Sequence, residues 1–172
     1  MLQLIIGGAG SGKSALAESL VSRFPTPRVY LATMRPSDGE CMACIARHRA
    51  LRAGKGFETL ERCTDLAGAA PLLPPHAHVL LECMSNLTAN EMFDTEGGGA
   101  QAVLAGVDAL EARADTLTVV TNEVFSGGAD YAGDTLCYLK ALAAINRALA
   151  ARAGLVVEMV CGVPNVLKGA LP

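Results

Sequence analysis

The sequence predicts an α/β protein whose mostly parallel sheet, about six strands wide, is covered by helices on both faces. Three observations carry this. Short apolar runs of four to six residues alternate with stretches of helical periodicity, the pattern of strands buried on both faces. A glycine-rich turn follows the first run directly and opens a helix. The 172 residues are 51% hydrophobic, mostly Ala, Leu and Val, with no Trp, which suits helices packed on a sheet.

Residues 2–6 form the first apolar run, stopped by Gly7-Gly8, and 14–24 follow as a helix with Leu16, Leu20 and Val21 on one face. A strand is expected over 28–32. The stretch 33–39, with Pro36, Asp38 and Gly39, reads as a loop, 40–52 as a helix, and 57–60 as a short strand. The proline-rich stretch 71–75 is a connector and 78–83 a clear strand, after which a loop runs to Gly99. A helix over 101–114 carries Val103, Leu104, Val107 and Leu110 on one stripe. A strand at 117–121, a glycine-containing loop at 126–133, and a long helix over 134–153 striped by Leu139, Leu142, Ile145 and Leu149 come next. The last strand is 155–161. There is no internal repeat and no second domain, so residues 1–172 are expected to form one nucleotide-binding domain. Ligands of such sheets bind beyond the carboxyl ends of the strands, which should gather the loops after Ile6, Ala32, Glu82 and Thr121 on one edge.

Composition narrows the partners. Net charge is −3, from 14 basic and 17 acidic residues, with no basic run to track a nucleic-acid backbone. No apolar stretch approaches the roughly 18 residues of a membrane span, and no signal peptide is visible, so a cytoplasmic protein with reduced cysteines is expected.

Gly7-Gly8-Ala9-Gly10-Ser11-Gly12-Lys13-Ser14 fits the phosphate-loop pattern. Glycines let successive N–H groups turn inward at phosphates, and the helix N-terminus adds partial positive charge. Lys13 reaches the terminal phosphates and Ser14 holds Mg²⁺. ATP or GTP with Mg²⁺ is the expected ligand. The Mg²⁺ calls for an acid at the end of a neighbouring strand, and two residues qualify: Glu82, closing Val79-Leu80-Leu81, and Glu123, closing Val119-Val120-Thr121-Asn122.

His48 lies within the helix expected at 40–52, flanked by Arg47 and Arg49. Cys41, Cys44 and His48 fall on one helix face at spacings of three and four, but no fourth zinc ligand is evident, so the cysteines read as small helix residues beside the histidine. His76 and His78 read as surface or strand-edge residues, and the glycines at 97–99 as a plain turn.

More of the chain falls into a recognisable order. After the phosphate loop come Ala17-Glu18, Val29-Tyr30-Leu31-Ala32-Thr33, Asp38-Gly39-Glu40, then His48, Arg52, Thr59 and Glu61. Leu80-Leu81-Glu82-Cys83, Thr121-Asn122-Glu123-Val124, Asn146 and Gly162-Val163-Pro164 follow. In this order the chain resembles the adenosylcobinamide kinase/adenosylcobinamide-phosphate guanylyltransferase family of cobalamin biosynthesis, over nearly its whole length. The resemblance implies phosphorylation of the aminopropanol hydroxyl of adenosylcobinamide by ATP or GTP. It then implies transfer of GMP from GTP to that phosphate through a histidine-bound GMP. His48 occupies the matching position, and neutral imidazole is a competent nucleophile near pH 7. Thr33, Glu61 and Glu82 resemble nucleotide-contacting positions. Arg52, on the helix face of His48, is placed to steady charge on the phosphate. A homo-oligomer is implied as well, and the Ala-rich long helix would suit such a contact.

The chain also departs from the family. Gly10 and Cys44 stand where the family usually has Arg, and Phe57 where it has Trp. Phe125-Ser126-Gly127-Gly128-Ala129-Asp130 replaces Gly, any, Gly, Ile, Val, Pro, and Tyr138-Leu139-Lys140 replaces Phe-Arg-Asp. These differences leave two further readings open. One is a related kinase or NTPase that has lost guanylyl transfer or changed substrate. The other is a nucleotide-dependent regulatory module without transfer chemistry.

Overall fold

The computed structural model describes residues 1–35, 54–127 and 130–172. The helix expected at 40–52 lies outside the described residues. Among the described residues, seven strands form one sheet in the order β3-β2-β4-β5-β1-β6-β7. They are β1 (Leu2–Gly7), β2 (Arg28–Ala32), β3 (Phe57–Glu61), β4 (His78–Glu82), β5 (Thr116–Asn122), β6 (Leu155–Val160) and β7 (Val163–Lys168). All neighbours pair in parallel except β6 and β7.

Residue alternation along the strands makes two cores. Leu4, Leu31, Val79, Leu81 and Val119 face one side. There they meet α2 (Met84–Phe93), α3 (Gly99–Arg113) and α4 (Gly133–Arg152) through Met84, Leu87, Val103, Val107, Leu110, Leu142, Ile145 and Leu149. Ile5, Tyr30, Leu80, Val120 and Val157 face the other side, where α1 (Lys13–Ser22) sets Ala17, Leu20 and Val21. No helix among the described residues is long and apolar enough to cross a membrane.

Three elements differ from expectation. The stretch after β4, read as a loop, holds α2. Its inward stripe is Met84, Leu87, Thr88 and Glu91, at helical spacing, but half of it is polar and so hides from a hydrophobic pattern. Glu91 is buried and accepts from the N–H groups of Asp65 (2.8 Å) and Gly98 (2.7 Å), tying two loops together. The start of the connector expected at 71–75 lies inside a 3₁₀ segment, Leu66–Leu72, begun by the Asp65 carboxylate accepting from Gly68 N–H. The strand expected to end at 161 instead turns at Cys161-Gly162, both at positive φ (50° and 82°), and returns as β7, whose residues are all exposed.

His78 is a correction. It opens β4, at the end of the strand, but it is not on the surface: the residue is 8% exposed and its ring is stacked on Phe24 at 4.5 Å. His76 is exposed, with Nδ1 3.2 Å from Asp115. Burial lowers the His78 pKa, with Arg28 and the N-terminal ammonium adding to it and Asp115 opposing it. In the unfolded chain the imidazole titrates near pH 6.5, so the unfolded state binds more protons as pH falls below about 6.5. Stability contributed by the neutral ring is present above that pH and is lost as pH falls towards the depressed native pKa. His78→Phe, which keeps a stacked ring, is expected to flatten this part of the Tm-against-pH profile. An unchanged acid slope in that variant would assign the dependence to other groups.

Candidate functional site

The phosphate loop joins β1 to α1 at the carboxyl edge of the sheet. Gly12, at φ 92°, caps α1 in the left-handed region that a side chain disfavours. Gly7 is required by close packing: a Cβ there would fall 2.5 Å from Ser11 Oγ and 2.7 Å from the Met159 carbonyl oxygen. Ser11 N–H donates to the Gly8 carbonyl at 3.2 Å, and Gly162 N–H, from the β6–β7 turn, donates to the Ser11 carbonyl at 3.1 Å. The tip, Ala9 and Gly10, is exposed, whereas the Ser11 hydroxyl is buried without a hydrogen-bond partner among the described residues. Lys13 Nζ bends back over the loop and donates to the Gly8 carbonyl at 3.0 Å. The ammonium is thereby held against the ring of backbone that would cradle phosphates.

Strand register brings the acid to this loop. Gly7 pairs with Asn122 on β5, and Val120, two residues earlier, pairs with Glu82 on β4. Ser14 Oγ donates to Glu82 Oε1 in a short hydrogen bond, and Tyr30 Oη donates to Glu82 Oε2 at 3.2 Å. A hydroxyl and a carboxylate side by side are hard oxygen donors of the kind Mg²⁺ takes together with water and phosphate oxygens, so Ser14 and Glu82 fit that ion. Glu123 turns elsewhere: its carboxylate accepts from Phe125 N–H at 3.0 Å and Ser126 Oγ at 2.8 Å. Of the two acids left open by the sequence, the geometry puts Glu82 beside Ser14.

Thr33 is fully buried. Its hydroxyl accepts from Cys83 N–H and donates to the Cys83 carbonyl, both at 2.8 Å, so it clasps the end of β2 to the chain leaving Glu82. Glu61 ends β3 on the same sheet edge, opposite Ala32. Four strand spacings separate β3 from β1, roughly 19 Å. Glu61 is therefore not gathered with the loop. His48 and Arg52, with Cys41 and Cys44, lie outside the described residues.

The sequence assigns no role to three residues around Glu82: Tyr30, Ser85 and Asn122. Tyr30 reads as one more strand residue. Ser85 Oγ accepts from Asn122 Nδ2 at 2.7 Å and lies 3.0 Å from Cys83 Sγ. Burial raises the Cys83 thiol pKa, which keeps it protonated and inert beside the carboxylate. Asn122 thus links β5, next to the phosphate loop, with the turn that follows Glu82. Only strand order reveals that link.

Comparison with known proteins shows the family. The family model described as cobinamide kinase / cobinamide phosphate guanyltransferase matches residues 3–167. The bifunctional adenosylcobalamin biosynthesis protein CobP of Pseudomonas aeruginosa is 32% identical over 174 residues, covering 98% of each chain. The bifunctional adenosylcobalamin biosynthesis protein CobU of Escherichia coli is 31% identical over 183 residues, covering 98% of this chain and 100% of its own. The CobU protein of Salmonella typhimurium is 37% identical over 99 residues, covering 56% of this chain and 53% of its own. The match spans residues 3–167, nearly the whole chain, and the chain belongs to the cobinamide kinase / cobinamide phosphate guanyltransferase family.

Proposed function

We propose that this chain phosphorylates the aminopropanol hydroxyl of adenosylcobinamide with ATP or GTP and then transfers GMP from GTP to the new phosphate. The observation that supports it most is the phosphate loop with Lys13 over its backbone and Ser14 on Glu82, inside a chain matched by the family almost end to end. In the first step the substrate hydroxyl oxygen bonds to the γ-phosphorus and gives up its proton to water, the bridging oxygen leaves with the nucleoside diphosphate, and Lys13 and the loop N–H groups face the charge that develops. Ser14 and Glu82 would hold Mg²⁺, which when bound offsets charge on the phosphate oxygens. Tyr30 orients the Glu82 carboxylate through its second oxygen.

In the second step His48 attacks the α-phosphorus of GTP and pyrophosphate leaves. An oxygen of the cobinamide phosphate then takes the GMP and frees the imidazole. Arg52 steadies the phosphate. This assignment rests on the sequence order around His48. Thr33 and Glu61 are proposed nucleotide-side positions on the same ground, Thr33 acting through the Cys83 backbone that it fixes.

Incubation with α-labelled GTP, then denaturation, tests the guanylyl half: acid-labile, base-stable label on the protein is expected. With γ-labelled nucleotide and cobinamide, label should move to the corrinoid. Corrinoid label without protein label would favour the kinase that lost its second step, the reading motivated by the departures at 125–130 and 138–140. Tight nucleotide binding with neither label would favour a regulatory module.

Glu82→Gln tests the acid. The Mg²⁺ concentration for half-maximal kinase turnover is expected to rise roughly tenfold or more, while Glu123→Gln stays near wild type. The reverse ranking would move the role to Glu123.

A further inference from the structure

Between α2 and α4 lies an open hollow of about 350 Å³, lined by Ala89, Phe93, Asp134, Thr135 and Tyr138. None of these residues takes part in the nucleotide site described above. The hollow nevertheless belongs to the same edge of the sheet. Asn90, next to Ala89, donates from Nδ2 to the carbonyls of Thr33 and Cys63, both at 2.9 Å, so α2 lies across the loops that leave β2 and β3. Tyr138 Oη donates to the Ser85 carbonyl at 3.2 Å. Ser85 stands three residues after Glu82, and its hydroxyl holds Asn122, the register partner of Gly7. One wall of the hollow is therefore bonded to the turn that carries the acid touching Ser14, on the sheet face opposite α1.

The lining says what enters. Among the described residues the lining has no Lys or Arg, and the charged group there is the Asp134 carboxylate, which repels phosphate. The nucleotide's phosphate chain is not the occupant. Two aromatic rings, Phe93 and Tyr138, stand 6.4 Å apart at 41°, and Phe93 is 54% exposed, a large apolar surface left open to a partner. Beside them a carboxylate and a hydroxyl offer acceptors for N–H groups. Few apolar walls with placed acceptors suit a polyanion. They suit a ligand whose body is methyl-covered and whose rim bears amides.

We propose that this hollow is the acceptor subsite and takes one edge of the corrinoid. The ring's methyl groups lie against Phe93, Tyr138 and Ala89, and the N–H groups of a peripheral amide donate to Asp134 and Thr135. A corrin is far larger than the hollow, so only an edge enters, and the aminopropanol arm extends towards the phosphate loop. This inference rests on the cobinamide reading above and assigns it a place.

Phe93→Ser and Asp134→Ala, singly and together, test it at exposed positions, with Tm as the check on folding. Cobinamide phosphorylation is measured with cobinamide and nucleotide each varied, and cobinamide binding by equilibrium dialysis read from corrinoid absorbance. The double variant is expected to raise the KM for cobinamide and its dissociation constant by about tenfold or more, with the nucleotide KM within about twofold of wild type, the signature of lost binding rather than lost chemistry. Unchanged cobinamide KM and binding in a folded double variant would overturn the subsite. A raised GTP KM with cobinamide unaffected would do the same, making the hollow a base pocket. Failure of the unmodified protein to bind or phosphorylate cobinamide while it turns over nucleotide would instead overturn the functional reading, and the two failures are distinguished because the second appears without any substitution.

Discussion

Lys13→Ala is expected to lower kinase turnover by about 10²–10³-fold, the range seen when one preorganised donor to developing charge is removed. The side chain is held for this task before any phosphate arrives: Nζ sits 3.0 Å from the Gly8 carbonyl, inside the turn closed by Ser11 N–H. A phosphate entering the loop takes over that ammonium with little reorganisation. The fold does not depend on it, because the core on this face is made by Ile5, Ala17, Leu20, Val21, Tyr30 and Leu80. Tm should therefore move little while turnover collapses. Lys13→Met, which keeps the apolar stem, should be nearly as inactive, separating loss of charge from loss of packing. Wild-type turnover in either variant would put nucleotide chemistry elsewhere in the molecule.

What could be read in the sequence was what is contiguous in the chain. The phosphate loop is eight consecutive residues whose meaning depends only on the strand before and the helix after, and the structure supplies both, β1 and α1. Glu82 and Glu123 each end an apolar run, and the family resemblance favoured Glu82 without settling which acid serves the Mg²⁺. The choice depends on β4 and β5 lying in that order beside β1, and on the Glu123 side chain turning back to Phe125 and Ser126. Tyr30 was illegible for the same reason, since its partner is 52 residues away. Helix α2 was missed because Thr88 and Glu91 occupy its inward stripe. Thr88 bonds the Met84 carbonyl and Glu91 bonds two loop N–H groups, so neither is a surface residue despite its polarity. Strand β7 was missed because its residues are exposed throughout and no alternation marks them. The glycine at 162 between two apolar runs was the one available sign.

His48→Ala is expected to abolish protein-bound GMP and guanylyl transfer while leaving cobinamide phosphorylation largely in place. The two steps attack different phosphorus atoms with different nucleophiles. In the proposed kinase step the substrate's own hydroxyl attacks the γ-phosphorus at the phosphate loop, beside Ser14 and Glu82, and no histidine is assigned a part in that step. Guanylyl transfer needs a side chain that can hold GMP covalently between two leaving events. A neutral imidazole suits this near pH 7, because its unperturbed pKa leaves the ring largely unprotonated there. The base-stable, acid-labile behaviour of the label is that of a phosphorus–nitrogen bond and separates His48 from a serine, threonine or carboxylate carrier. Arg52→Ala should slow formation of the adduct without preventing it, since a guanidinium stabilises charge on the phosphate but forms no bond to phosphorus. Retained protein-bound GMP in His48→Ala would identify another nucleophile. Equal loss of both activities in a folded variant would show that the two steps are not separable at this residue.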